Sequence, residues 1–560
     1  MEGKKLYRRT KSVCPECTKQ IDANIVLDVV EGKDTVLMRK KCSEHGFFED
    51  VISRNPPEYE RNQKYYHDYV TIENKDNIHD TGKGCPHNCG MCAEHKGAPC
   101  IAVIDPTNRC NLACPICFAN ANAKGYIVEP SVADIKQIMQ HFRNIKPIPP
   151  VVFQFSGGEP TMREDLVELV RLAKKMGFVE TILTTNGLKL AARNGVQYLK
   201  DLMAAGLDCV YLSFDSADDP EVYKKTRGVN LLPQKLRVIE NCRKAGFHGV
   251  LLIPTIAKGI NENERAVKGI LDYAKKNHDV ISGIVFQPVS LCGRIDNEQL
   301  RELRYTTSDL VQTIGEATGL KDTYIYPIPA TGSLTKLLAF YDYMPRFTMA
   351  AHPDCGFATI MTIDSKTGKW TKIEDFFDID GLIKWADEVW AMVEKGEWPN
   401  MADKIVAPFV KLFGDKIGSI INQASDFAYR KAIKAYFMAG AVRFMKGLSG
   451  PIKDFLPIML NPKLETAASF FESSNNILVS SMHFQDVYNF DVDRVQRCLV
   501  HYGVIYPDDP TKVLQIPFCA MNSIRREELE KRHAKQTISV NPNDVTAKAK
   551  EFIEKEVINK

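Results

Sequence analysis

The sequence predicts an α/β protein built around a partial (β/α)6 TIM-like barrel, with a small N-terminal metal module and a mostly helical C-terminal domain. Three observations carry that expectation. Residues 101–290 alternate short apolar strands with amphipathic helices. Residues 10–50 place two short cysteine/histidine pairs around a β-hairpin signal. The last 270 residues lose the strand–helix rhythm. At 560 residues the chain is too long for one compact core. We therefore expect a metal domain over 1–53, a linker with a cysteine-rich segment over 54–100, the barrel over 101–290 and a further domain over 291–560.

The barrel strands are expected at 101–104, 151–155, 179–184, 208–214, 249–255 and 283–288. Helices are expected near 131–143, 163–176, 193–205, 233–245 and 262–277. Ser131 and Asn261 suit helix N-caps, and Gly177, Gly206 and Gly246 stand just past helix ends. Strands and helices alternating at this spacing imply parallel βαβ units with right-handed crossovers. Ligands then gather at the carboxyl ends of the strands.

Composition narrows the function classes. A net charge of +3 offers no bulk argument for nucleic acid. The first nine residues are charged and lack a signal-peptide apolar run. No run of about 18 apolar residues offers a membrane span. Seven of the sixteen cysteines fall between Cys85 and Cys117 at x2 and x3 spacings, which argues for metal in a reducing cytoplasm.

Four groups of thiols follow in chain order. Cys14-Pro-Glu-Cys17 and Cys42-Ser-Glu-His45 flank β-rich runs joined by Glu31-Gly32-Lys33-Asp34. Three thiolates and an imidazole suit one tetrahedral Zn²⁺, and a rubredoxin-like mononuclear iron fits the same cage. Cys85, Cys89 and Cys92 form C-x3-C-x2-C, with Cys100 as a fourth, which suits an auxiliary [4Fe–4S] cluster or a zinc ion. Cys110, Cys114 and Cys117 repeat the spacing after an apolar strand; three thiolates on one loop hold three irons of a [4Fe–4S] cube and leave the fourth open. Cys292, Cys355, Cys498 and Cys519 are scattered, and are either unrelated thiols or a further cluster.

Thirty-nine residues after Cys117, Ser156-Gly157-Gly158-Glu159-Pro160 closes a second apolar strand. The Cys110–Cys117 loop followed by this stretch resembles the radical S-adenosylmethionine (SAM) superfamily. The resemblance implies that SAM chelates the open iron, and that reductive cleavage of SAM yields a 5′-deoxyadenosyl radical that abstracts hydrogen from substrate. It implies SAM contacts from Gly157, Gly158 and Glu159, from Asn186 after the third strand, and from Ser213 and Asp215 after the fourth. Family members have an aromatic residue before the third cysteine, where Ile116 stands here, followed by Phe118. Members also carry C-terminal auxiliary clusters, so the resemblance implies a third [4Fe–4S] cluster at Cys292, Cys355, Cys498 and Cys519.

Taken whole, the ribbon, the CPHNCGMC loop, CNLACPICFANA and SGGEPTMRED resemble the archaeal tetraether-lipid synthase group. That implies joining terminal carbons of two phytanyl chains of a diether lipid at the cost of two SAM molecules, with an electron donor such as a ferredoxin or flavodoxin and contact at the inner membrane face. Residues 400–460, rich in Phe, Ile and Met with interspersed Lys and Arg, then suit an interfacial surface, an apolar substrate channel or ordinary core helices. The alternatives are a radical SAM methylase acting on a pterin-like or other small substrate, and a multi-cluster electron-transfer scaffold.

Overall fold

The computed structural model describes residues 3–66, 71–76, 79–122, 125–294, 303–320, 324–341, 349–363, 368–395, 433–446 apart from 435 and 439, and 476–558 apart from 535 and 538–540. The chain begins as a four-stranded antiparallel sheet of β1 (Lys5–Val13), β2 (Gln20–Val30), β3 (Lys33–Cys42) and β4 (Gly46–Ser53) in sequential order. Val30 pairs Lys33, so the expected four-residue connection is a tight two-residue turn. Glu31 and Gly32 both take positive φ, 51° and 79°, the backbone that matches hairpin twist. Ala23, Ile25, Val36 and Met38 pack against Tyr59. Tyr59 sits on α1 (Pro56–Asn62), within the stretch expected as linker. Two prolines in its first turn cost no hydrogen bond, and the Asn55 side chain accepts from Glu58 N at 3.2 Å.

The barrel strands lie close to where periodicity placed them: β5 (Ile101–Ile104), β7 (Val152–Phe155), β8 (Glu180–Thr185), β9 (Cys209–Ser213), β10 (Val250–Ile253) and β12 (Ile281–Pro288). Consecutive members pair in parallel. Between them run α2 (Val132–Arg143), α3 (Leu166–Lys175), α5 (Gly195–Ala205), α7 (Leu232–Ala245) and α8 (Glu264–Lys276), with the short α4 (Leu188–Ala191) and α6 (Pro220–Arg227) inserted. Ser131 caps α2 in a capping box with Asp134. The α8 cap is Asn263, which accepts from Ala266 N, and not Asn261. Asn261 is buried and ties the backbone around β9 and the two-residue β11 (Thr255–Ile256) by donating to Asp215 O and Thr255 O.

The C-terminal region is helical and also lends strands to the same sheet. β15 (Ile477–Met482) pairs β12 in parallel, followed outward by antiparallel β13 (Gly356–Ile363) and β14 (Trp370–Lys372). On the opposite edge β16 (Val500–Ile505) pairs β5 in parallel and β17 (Val513–Pro517) pairs β16 antiparallel. The order is β14-β13-β15-β12-β10-β9-β8-β7-β5-β16-β17, with β11 beside β12. A two-stranded piece joins β6 (Tyr126–Ile127) to β18 (Gln536–Thr537).

Buried charge keys the ribbon to this sheet. Arg304, 1% exposed, donates to Asp486 at 2.7 Å and is also paired with Asp50 of β4. Lys40 of β3 donates to Val487 O at 2.7 Å, and Arg8 of β1 pairs with Asp491. Among the described residues no helix is long and apolar enough to cross a membrane. Of residues 400–460, most lie outside the described residues; within them Arg443 stacks its guanidinium 4.8 Å from the Trp385 ring.

Candidate functional site

At the carboxyl ends of the barrel strands the Cys110–Cys117 loop faces the Gly157-Gly158 turn across a cavity of about 150 Å³. Local chemistry shapes both sides. Asn122, itself at φ +64°, donates to Cys110 O at 2.6 Å and Leu112 O at 3.0 Å and accepts from Cys110 N at 3.2 Å, clamping the loop. Cys117 exchanges two backbone bonds with Arg294, which also donates to Ala121 O at 2.7 Å. At Gly158 a Cβ would stand 2.2 Å from Arg109 O, so the two loops can approach only as backbone. Cys110, Cys114 and Cys117 all line the cavity.

Of the six expected cofactor contacts, Gly157, Gly158, Asn186 and Ser213 line the cavity, and two are corrected. Glu159 is 1% exposed and fully engaged: it accepts from Thr161 Oγ1 and Thr185 Oγ1 at 2.7 Å each and from Asn186 N at 2.7 Å. A carboxylate with those donors holds the turn together and does not point at a ligand. Asp215 is fully buried; Arg227 binds it bidentately at 2.6 and 2.8 Å, while Thr226 Oγ1 and Thr255 N add 2.8 and 3.0 Å bonds. Burial opposes its ionisation, yet the Arg227 guanidinium holds Asp215 below the usual carboxylate range. Arg227, not Asp215, reaches the cavity.

Arg227 was not evident in the sequence, and neither was Lys235. Lys235 on α7 donates to Asn186 O at 2.6 Å and Ser213 Oγ at 2.9 Å. Burial first, and Arg227 second, pull it down to about 7. Burial pushes the Cys114 thiol up, and Arg227 and Arg294 oppose that push, so two guanidiniums favour thiolate at this loop. Ile116 and Phe118 both line the cavity; Phe118 touches Phe518 at 5.9 Å between centroids, and Phe484, also lining it, stacks on Phe518 at 4.2 Å.

The other thiol sets divide. Cys14, Cys17, Cys42 and His45 bring one donor atom each within 4.8 Å of one another. His45 pulls the Cys42 thiol down to about 6. One point-like ion accounts for four donors so close together. Cys85, Cys89 and Cys92 are all buried, Cys85 and Cys89 in one apolar cluster, with Glu94 accepting from Cys85 N at 3.2 Å. Cys100, just before β5, packs with Ala351 and Leu499, and its N–H donates to Leu499 O at 2.8 Å. Cys498 and Cys519, distant in sequence, flank one apolar cluster, and Cys355 packs beside Leu499, the neighbour of Cys498; the Cys292 sulfur lies 3.4 Å from Ser290 Oγ, which donates to Gln485 O at 3.2 Å. Gln485 N donates to the Cys519 sulfur at 3.4 Å.

Comparison with known proteins bears on this geometry. A family model described as Radical SAM superfamily matches residues 104–273, and one described as HMPTM N-terminal zinc ribbon domain matches residues 6–54. A 7,8-dihydro-6-hydroxymethylpterin dimethyltransferase of Methanocaldococcus jannaschii is 39% identical over 94% of this chain and 96% of its own. A GTP 3′,8-cyclase of Marinobacter nauticus is 31% identical over 38% of this chain and 60% of its own. The Streptococcus suis SuiB structure bound to S-adenosylmethionine aligns at 19% identity over 40% of this chain and 47% of that one, with a TM-score of 0.31, too slight a likeness to argue from. The relative of whole-chain length is named for a pterin and not for a diether lipid. That overturns the expected tetraether-lipid synthesis and the lipid as partner. The motifs that suggested the lipid group are those expected to serve the cofactor, so they do not separate substrates.

Proposed function

Because this chain belongs to the radical SAM superfamily, and within it to the family of the 7,8-dihydro-6-hydroxymethylpterin dimethyltransferase, we propose that it methylates a reduced pterin or a close relative of one. It is a radical SAM enzyme that binds SAM and iron–sulfur; the pterin is the proposed step. The 39% identity over nearly the whole length of both chains carries it. The cavity is consistent in kind. It is compact, flanked by Phe118 and Phe484 for a flat ring to stack on, and edged by Gln287 and Ser290 for a heterocycle's polar rim.

The residues present fit the cofactor: three thiols on one clamped loop face a turn whose glycine leaves no room for a side chain. Bound there, a [4Fe–4S] cluster with SAM supplies one-electron cleavage to a carbon radical. Cys110, Cys114 and Cys117 would hold the irons, Gly157 and Gly158 would admit SAM against bare backbone, and Asn186 and Ser213, both braced by Lys235, would orient it. Asp215 fixes Arg227, whose charge compensates the thiolates. We assign auxiliary clusters to Cys85, Cys89, Cys92 and Cys100 and to Cys292, Cys355, Cys498 and Cys519, and a mononuclear zinc or iron to Cys14, Cys17, Cys42 and His45. An external one-electron donor of the ferredoxin or flavodoxin type completes the set.

The test is anaerobic. The reconstituted enzyme is given reductant, methyl-labelled SAM, 7,8-dihydro-6-hydroxymethylpterin and a small-molecule cell extract as a source of any second one-carbon donor. Pterin mass and 5′-deoxyadenosine are followed together. We expect the pterin to gain one or two methyl groups, with the label reporting their origin. 5′-Deoxyadenosine without any heavier pterin would overturn the substrate and leave the superfamily chemistry standing. Replacing Cys110, Cys114 or Cys117 by Ala should abolish 5′-deoxyadenosine formation.

A further inference from the structure

Beside the cysteines of the barrel end and the C-terminal strands stands a buried arginine, Arg494. Arg494 is 5% exposed and anchored by a 2.7 Å bond from Nη2 to His483 O. Its charge acts on the Cys355 and Cys519 thiols, and the residue lines a small cavity together with Asp354 and Gly356, the two neighbours of Cys355. The anchor is rigid, since His483 follows β15 and its own N–H donates to Cys355 O at 3.0 Å. The charge therefore cannot swing away from the sulfurs, and an arginine does not lose its proton in a protein. Nothing in the SAM cavity uses this residue; it does not line that cavity.

We propose that Arg494 sets the reduction potential of the cluster held at Cys292, Cys355, Cys498 and Cys519. The proposal rests on the reading above that these four thiolates bind a [4Fe–4S] cluster. Potentials of such clusters follow net charge, hydrogen bonds to sulfur and exposure. On taking one electron from the external donor the cluster gains one negative charge and no bond changes. A buried cation in a low-dielectric pocket favours that reduced state. Arg494 thus makes this cluster easier to reduce than its thiolate set alone would.

The experiment is an EPR-monitored redox titration of the full chain, reconstituted anaerobically with iron and sulfide. Cys519→Ala first identifies which signal and how much iron belong to this site. If that variant loses neither, the cluster reading fails, whatever Arg494 does. If it loses both, Arg494→Gln should lower the midpoint potential at this signal with iron and sulfide content unchanged, and Arg494→Lys should stay near the parent value. An unchanged midpoint in Arg494→Gln overturns the proposal. So does a shift in Arg494→Lys as large as in Arg494→Gln, because charge is then not the cause. Loss of iron from Arg494→Gln while Arg494→Lys loads normally also overturns it, in favour of a role in cluster retention.

Discussion

Gly158 at the cavity illustrates how little freedom the site allows. Gly158→Ala would drive a methyl to 2.2 Å from Arg109 O, against backbone that is itself bonded to Glu159 N at 2.8 Å. Overpacking of this sort costs about 1–3 kcal/mol, so SAM affinity measured by calorimetry should fall about tenfold or more. By contrast, Gly246, at φ +75° with open space around its Cβ position, should tolerate Ala with only a modest stability loss and no effect on SAM. Asp215 makes a pH-dependent contribution whose sign is definite. Its folded value lies below the ordinary one, so its stabilisation is complete above the ordinary carboxylate value of about 3.9 and is lost as pH falls through the folded value. Asp215→Asn should therefore be destabilised relative to the parent by about 3–5 kcal/mol near neutral pH. The gap should close in denaturant titrations below about pH 4.

At the scale of elements, the ribbon is the clearest case. Its strands are polar-faced and its core is little more than Ala23, Ile25, Val36, Met38 and Tyr59, so the metal donors do part of the work of a core. Cys14→Ser should cost one equivalent of zinc or iron per chain by elemental analysis and lower the thermal midpoint. Unchanged metal content would remove the assignment. The knuckles, the hairpin and the five long helices were legible because each is local: spacing, caps and period lie within a dozen residues. The five flanking strands β13, β14, β15, β16 and β17 were not. ILVSSM and VHYGVI are six-residue apolar runs that read equally as helix or strand, and their partners lie hundreds of residues away in β12 and β5.

For the molecule as a whole, the ribbon and the segment after β12 share one buried charge network. Arg304 joins Asp50 of the ribbon to Asp486, and Asp486 in turn accepts from Leu291 N at 2.9 Å, next to Cys292. Arg304→Ala leaves two buried carboxylates facing each other, and removal of one partner from such a set costs about 3–5 kcal/mol. The denaturation midpoint should drop accordingly, and limited proteolysis should release the ribbon. The same variant should lower the iron content at the Cys292 site, because Asp486 loses its counter-charge beside it.

What the sequence by itself determined is everything whose signal is short-ranged. The six βα units, the thiol spacings of the ribbon and the two CxxxCxxC loops, and the glycine turn at 157–158 all declare themselves within a few turns of chain, since strand period, helix caps and metal-ligand geometry are local constraints. Tertiary structure alone decided which carboxylates face the ligand. Glu159 and Asp215 look like contacts in sequence, yet burial obliges each to find donors of its own, and Thr161, Thr185 and Arg227 supply them. It also decided that Cys498 and Cys519 flank one apolar cluster, with Cys355 packed beside Leu499. Spacing cannot encode a contact made by strands paired across the sheet, and only the register of that sheet brings such side chains to one place.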